Sequence, residues 1–135
     1  NKKIDQQVNT VSLFWETIGE NMDQWRGVRV GNLSASEVRR DFIHTHVIIL
    51  QALGHMGKDL LKQFPTNWKS KLKNLNKINW LKNNSIWQQR VIINGRVVKN
   101  NNSIILASNV IKKALGIKLD AKEKALESQV KKSGK

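Results

Sequence analysis

The sequence predicts a mainly α protein: a helical bundle with one short β-hairpin near Val91–Lys99. Three observations predict it. Ile4, Val8, Val11, Trp15, Ile18, Met22 and Trp25 recur at spacings of three and four, the period of one apolar helix face. A second segment carries a helix-start signature and a middle, "VIILQAL", that is apolar almost all round, as in a central buried helix. "QRVIINGRVVKN" sets Asn94-Gly95 between β-branched runs, the strongest short-range hairpin signal.

The first helix is expected over Ile4–Trp25, with Gly19 as its weak point. Its seven-residue repeat would suit a coiled coil, but Leu13 and Phe14 widen the apolar face and favour a bundle helix. "RGVRVGN", Arg26 to Asn32, reads as a connector. The second helix is expected from Ala35 to about Lys62. Ser34 and Glu37 form a capping box, and Leu33 and Val38 occupy the hydrophobic-staple positions.

This helix holds all three histidines. On a helix, His44 and His46 point about 200° apart, and His44 and His55 are separated by about 16 Å along the axis. Neither pair can share a metal, and the i,i+4 pair of zinc helices is absent. The histidines therefore read as structural, with His46 the better candidate for a buried polar contact.

In the second half, Thr66 is expected to cap a helix over Asn67–Leu75 whose face is Trp68, Leu72 and Leu75. "NWLKNNSIW" is an asparagine-rich turn anchored by Trp80 and Trp87, which read as core rather than as base-stacking platforms. A two-residue hairpin turn sets Ile93 opposite Arg96, Ile92 opposite Val97, Val91 opposite Val98 and Arg90 opposite Lys99. Two cations side by side are unfavourable; either a phosphate between them relieves that or both side chains splay into water. Ser108 is expected to cap a helix with Val110, Ile111, Ala114 and Leu115, closed by Gly116. Asp120 and Glu123 form a second capping pattern. Helix, glycine turn and helix suggest a helix-turn-helix, but Asp120, Glu123 and Glu127 would crowd phosphate, which argues against a recognition helix here.

The 135 residues, 39% hydrophobic with a single proline, suit one globular domain over 1–135. It divides into a near-neutral helical half (1–64) and a basic half with hairpin and helical tail (65–135). The longest apolar run, Val47 to Leu50, is far too short for a membrane span. No signal-peptide layout opens the chain, so a cytoplasmic protein without membrane attachment is expected. The absence of an initiator methionine makes it read as the C-terminal part of something longer. Zero cysteines exclude disulfides, thiolate nucleophiles and cysteine-ligated metals.

Charge is the loudest feature. Residues 1–67 carry 8 Lys+Arg and 7 Asp+Glu, a net of +1, whereas residues 68–135 carry 16 and 3, a net of +13. Between Asp59 and Asp120 there are 12 basic residues and no acidic one. A solvated surface mixes signs, so this stretch implies a polyanionic partner, nucleic acid before acidic membrane.

A resemblance points the same way. Phe14-Trp15, Trp25, Val28-Arg29, Gly31-Asn32-Leu33, Glu37-Val38-Arg39, His46, Ala52-Leu53-Gly54 and Gly57 resemble the C-terminal part of the DndB family, regulators encoded with DNA phosphorothioation (DNA sulfur-modification) systems. Ile78-Asn79-Trp80, Trp87, Gly95-Arg96-Val97, Lys99, Leu115-Gly116, Glu123 and Glu127 continue it. The family's N-terminal Asp-Gly-Gln-His-Arg motif is missing, so any function belonging to that motif is not carried. The resemblance implies a DNA-binding repressor of the modification genes.

The expected function is thus a DNA-binding, repressor-type regulatory domain. Its partner would be double-stranded DNA, at the promoter of its own modification operon. The expected contacts are Arg90, Arg96 and Lys99 of the hairpin, Lys112 and Lys113 of the tail, and Lys82 of the asparagine-rich turn. No enzyme, metal or cofactor is expected, since carboxylates for two-metal chemistry are scarce in the basic half and no nucleophile–base pair stands out. The alternative is a protein-interaction or dimerisation module that uses the heptad stripe to form a homo-oligomer or to dock. Membrane binding would need a longer basic amphipathic helix than Asn67–Leu75.

Overall fold

The computed structural model describes residues 2–22, 31, 34, 36, 40–44 and 46–133. Helix α1 spans Lys2–Glu20. It ends earlier than expected, with Asn21 in a turn; Trp25 lies outside the described residues. Its buried side is Phe14, Ile18 and, just past its end, Met22, while Val11 and Trp15 of the expected stripe stay exposed. Phe14 shifts the core-facing side by about one residue, because its large ring reaches the neighbouring helix where Gly57 leaves room. A Cβ built at Gly57 would lie 2.5 Å from Phe14 Cζ, closer than atoms can pack.

The expected continuous helix from Ala35 to Lys62 is broken. Ser36, Arg40 and Asp41 are helical, but Phe42 bridges to Leu81. The Ile43 N–H donates to the Trp80 carbonyl at 2.8 Å, and the Lys82 N–H donates to that of Asp41 at 3.0 Å. Backbone groups tied across the chain cannot close a helical ladder. Helix α2 therefore starts at Val47 and runs to Gln63, with His46 as its N-cap residue. Glu37 of the expected capping box is outside the described residues; Ser34 Oγ lies 3.3 Å from Ser36 Oγ. Ile48, Ile49, Ala52, Leu53, Met56 and Leu60 are buried, and Val47 and Leu50 are exposed.

Helix α3 is short, Trp68–Leu72, and tightens into a 3₁₀ turn over Lys73–Lys77. Asn67, not Thr66, occupies the cap position, without a side-chain bond. Trp68, Leu72 and Leu75 are buried as their spacing predicts. Trp80 and Trp87 are core residues stacked 5.5 Å apart. Their indole N–H groups donate to the carbonyls of Leu75 and Asn79.

The hairpin is β1 (Ile92–Ile93) and β2 (Arg96–Val97), antiparallel, with Ile92 opposite Val97 and Ile93 opposite Arg96. Asn94 and Gly95 have φ of 53° and 78°, the two positive values a type I′ turn needs. Val98 N–H donates to Val91 O at 2.9 Å, one step further down the ladder.

Helix α4, Asn101–Leu115, packs most extensively on α2. Asn100 caps it, its side chain accepting from Ser103 N at 2.8 Å. Ser108 is not the cap; it is buried mid-helix and donates to Ile105 O. The Ile117 N–H bonds to Lys112 O and that of Gly116 to Lys113 O, the Schellman pattern expected at Gly116. Helix α5, Ala121–Ser133, opens on the expected reciprocal box: Glu123 N–H to Asp120 Oδ1 at 2.8 Å and Asp120 N–H to Glu123 Oε1 at 2.9 Å.

Candidate nucleic-acid interface

Glu123 and Glu127 are four residues apart, so they share one face of α5. That face turns inward, leaving them 3% and 5% exposed. Each meets a cation of the basic half. Arg90 grips Glu127 in a fork, Nη2 to Oε2 at 2.6 Å and Nε to Oε1 at 3.2 Å, and its Nη1 donates to Ile86 O. Lys113 Nζ reaches Glu127 at 3.4 Å, and Asn109 Nδ2 donates to it at 3.3 Å. Burial alone would raise the Glu127 pKa, but Arg90 outweighs it and holds the carboxyl below the usual range.

Lys112 was expected on DNA and is instead fully buried. Its ammonium donates to Asp59 Oδ2 at 2.5 Å and to Glu123 Oε2. Burial works to lower its pKa, yet the hydrogen bonds to Asp59 and Glu123 prevail and raise it. His55 Nε2 stands 3.5 Å from the same Glu123 oxygen. Thus Asp59, Lys112 and Glu123 form an ionic junction between α2, α4 and α5, with His55 beside it. A buried ammonium so engaged cannot reach a phosphate while the domain stays folded.

The remaining expected contacts separate. Arg90 leaves the hairpin ladder for Glu127 instead of lying opposite Lys99, so no cation pair awaits an anion there. Arg96 and Lys99 are exposed on the hairpin, and neither forms an ion pair with another described residue. Lys82 lies near Asp41, whose pKa is lowered first by its hydrogen bond from Arg40 and further by Lys82. Lys113 is half exposed.

Arg90 and Lys113 line a groove of about 510 Å³ together with residues the sequence left unmarked: Lys77, Asn79 and Asn84. The rest of its lining is aliphatic, Ile78, Ile86, Val110 and Ala114, apart from Glu127, which Arg90 holds. Asn79 Oδ1 accepts from Leu81 N and Asn84 Oδ1 from Ile86 N, both at 3.0 Å. Their amide oxygens are thereby engaged, and each side chain keeps its NH₂ donors for another partner. The signal for this was local: an Asn two residues before a backbone N–H that a turn leaves open.

The histidines sit elsewhere than a helical wheel places them, because the helix begins only at Val47. His44, not His46, is the deeply buried one, packed parallel on Trp80 at 5.1 Å. Burial lowers its pKa to about 4.

The fold and this groove define a small helical domain whose basic half holds two of its three acids inside, each against a withdrawn cation, and leaves Lys77, Arg96, Lys99 and Lys113 on its surface. The DndB family model, described as DNA-sulfur modification-associated, matches residues 1–118. The chain belongs to the DndB family. α5, with Glu123 and Glu127, lies beyond the matched segment. No curated protein and no solved structure matches the chain. None of the helices among the described residues is long and apolar enough to cross a membrane.

Proposed function

We propose that this chain is a DNA-binding, repressor-type regulatory domain of a DNA sulfur-modification system, acting on the duplex promoter of its own operon without catalysis or cofactor. One observation carries the reading. Residues 60–119 hold 12 cations and no carboxylate, and of the three acids that follow, Asp120 is exposed while Glu123 and Glu127 are buried. The outward cations Lys77, Arg96, Lys99 and Lys113, with Lys82, are the phosphate contacts. Five neutralised phosphates give a log affinity against log salt slope of about −4 to −5. Gel shifts on the promoter and on a scrambled duplex at several salt concentrations measure it. Absence of binding to any duplex at low salt would sink the reading.

A second reading has its own observation. Val11 and Trp15, one turn apart, leave an apolar strip exposed on α1, Val11 by 56%, and such a strip suits self-association or docking. Sedimentation with little salt dependence, together with no DNA affinity, would put this interaction module first.

A further inference from the structure

We propose that the groove between Lys77 and Lys113 is a backbone-reading site that prefers a phosphodiester in which sulfur replaces one non-bridging oxygen. The proposal deepens the DNA-binding reading and rests on it.

The chemistry of the lining decides the ligand. Three cations, Lys77, Arg90 and Lys113, stand against one carboxylate, Glu127, which Arg90 grips at 2.6 Å and Lys113 reaches at 3.4 Å, so an incoming anion meets Lys77 and the outer side of Lys113. Asn79 and Asn84 have their amide oxygens on backbone N–H groups. The rim therefore offers donors and almost no acceptor. An anion with no donor of its own fits, and a phosphodiester is such an anion. The aliphatic lining adds a second requirement. A wholly oxygen-bearing phosphate gains nothing from it, because its oxygens seek donors and lose hydration against hydrocarbon. Sulfur in place of one oxygen keeps the negative charge but is larger, more polarizable and more weakly hydrated. The remaining oxygen can face Lys77, Lys113 and the amides while sulfur rests on Ile86 and Ala114. Two further cavities offer no such pairing. One, beside Trp80, has no cation in its lining; the other sets three carboxylates, Asp59, Asp120 and Glu123, against two lysines, Lys62 and Lys118, and so favours no anion.

Because the two substituents of the phosphorus point to different walls, one configuration at phosphorus is favoured over the other. The preference is about fourfold, the effect of burying one methylene-sized apolar group.

The test compares three duplexes of one sequence by fluorescence anisotropy: all-oxygen, and one strand carrying sulfur in either single configuration at every linkage. The expected result is a roughly fourfold preference for one sulfur form. Ile86→Ser and, separately, Ala114→Ser should each reduce the preference. Lys113→Ser should weaken all three duplexes alike. Equal affinity for all three overturns the groove inference and leaves the DNA-binding reading standing. A preference that persists in the Ile86→Ser/Ala114→Ser double variant also overturns it, since the sulfur is then sensed elsewhere or sticks without a site. No affinity for any duplex removes both.

Discussion

Replacing Lys112 by Met separates stability from DNA contact. The side chain is fully buried and holds Asp59 and Glu123 together. Removing its charge strands Glu123, whose side chain is 4% exposed, beside a second carboxylate. Breaking a buried ion pair from one side costs about 3–5 kcal/mol. Asp59 keeps 36% of its side chain in water and can be re-solvated, so the low end, about 3 kcal/mol, applies. For a domain of this size that lowers Tm by roughly 10 °C. The pKa of Lys112 is raised in the fold, so its contribution is fully present below the unfolded value of 10.5 and is lost as pH rises through the higher folded value. Circular-dichroism melts at pH 7 should show the full difference between wild type and Lys112→Met, and melts at strongly alkaline pH a smaller one. Lys112→Met/Glu123→Gln should recover part of the loss, because the amide oxygen still accepts from Asp120 N–H while the stranded charge is gone. The salt slope of DNA binding by the folded variant should be that of wild type. An unchanged Tm with a flatter salt slope would refute the reasoning and return Lys112 to the DNA surface.

Three more outcomes are expected. Arg90→Ser breaks the fork to nearly buried Glu127 and should cost about 3 kcal/mol in denaturant titration, whereas Lys99→Ser should leave stability unchanged and flatten the salt slope by about one unit; equal stability of the two variants would contradict the geometry. His44 has its pKa depressed to about 4, so the unfolded chain binds the extra proton first. Stability is complete above about 6.5 and falls by roughly 3 kcal/mol as pH drops to about 4, and a His44→Phe variant lacking none of that acid-side slope would assign it to another group. Gly57→Ala forces a Cβ against the Phe14 ring and should cost about 1–3 kcal/mol, with Phe14→Leu partly compensating; a neutral Gly57→Ala melt would mean that α1 packs on α2 more loosely than this.

What was legible in the sequence was what neighbours decide. The hairpin register follows from Asn94-Gly95, and the start of α5 follows from Asp120 and Glu123, since both depend on contacts within a few residues. The start of α2 did not follow. Phe42 and Ile43 are pulled out of a helix by Trp80 and Leu81, about forty residues on, and no local propensity carries that information. The start of α4 does not follow either: Asn100, Asn101, Asn102, Ser103 and Ser108 can all cap a helix, and only packing puts the first turn at Asn101 and Ser108 inside. Lys112 could have been placed. Ser108, Ile111, Lys112 and Leu115 recur at the i, i+3, i+4, i+7 spacing of one helix face, and a lysine inside an apolar stripe calls for a carboxylate partner. Arg90 could not, because its ladder position was overruled by the turn at Gln89, at φ 67°, and by an acid 37 residues away.

These pairings explain how a domain with acids in its basic half can still present cations outward. Glu123 and Glu127 do not dilute the surface field, because each is cancelled inside the fold by a cation that is equally withdrawn. Lys112 answers Glu123, and Arg90 answers Glu127. The exposed cations of residues 60–119 are then interspersed with amides and hydrophobic groups rather than with carboxylates. Charges left unmixed on a surface attract polyanions over a distance set by salt. The acids that seemed to argue against phosphate at α5 are therefore part of the scaffold: Glu127 holds Arg90 inside and stands behind the half-exposed Lys113 at the groove. A carboxylate returned to the exposed face of α5, as in Ser128→Glu, has no internal partner, and its charge acts wholly on whatever anion the basic half receives.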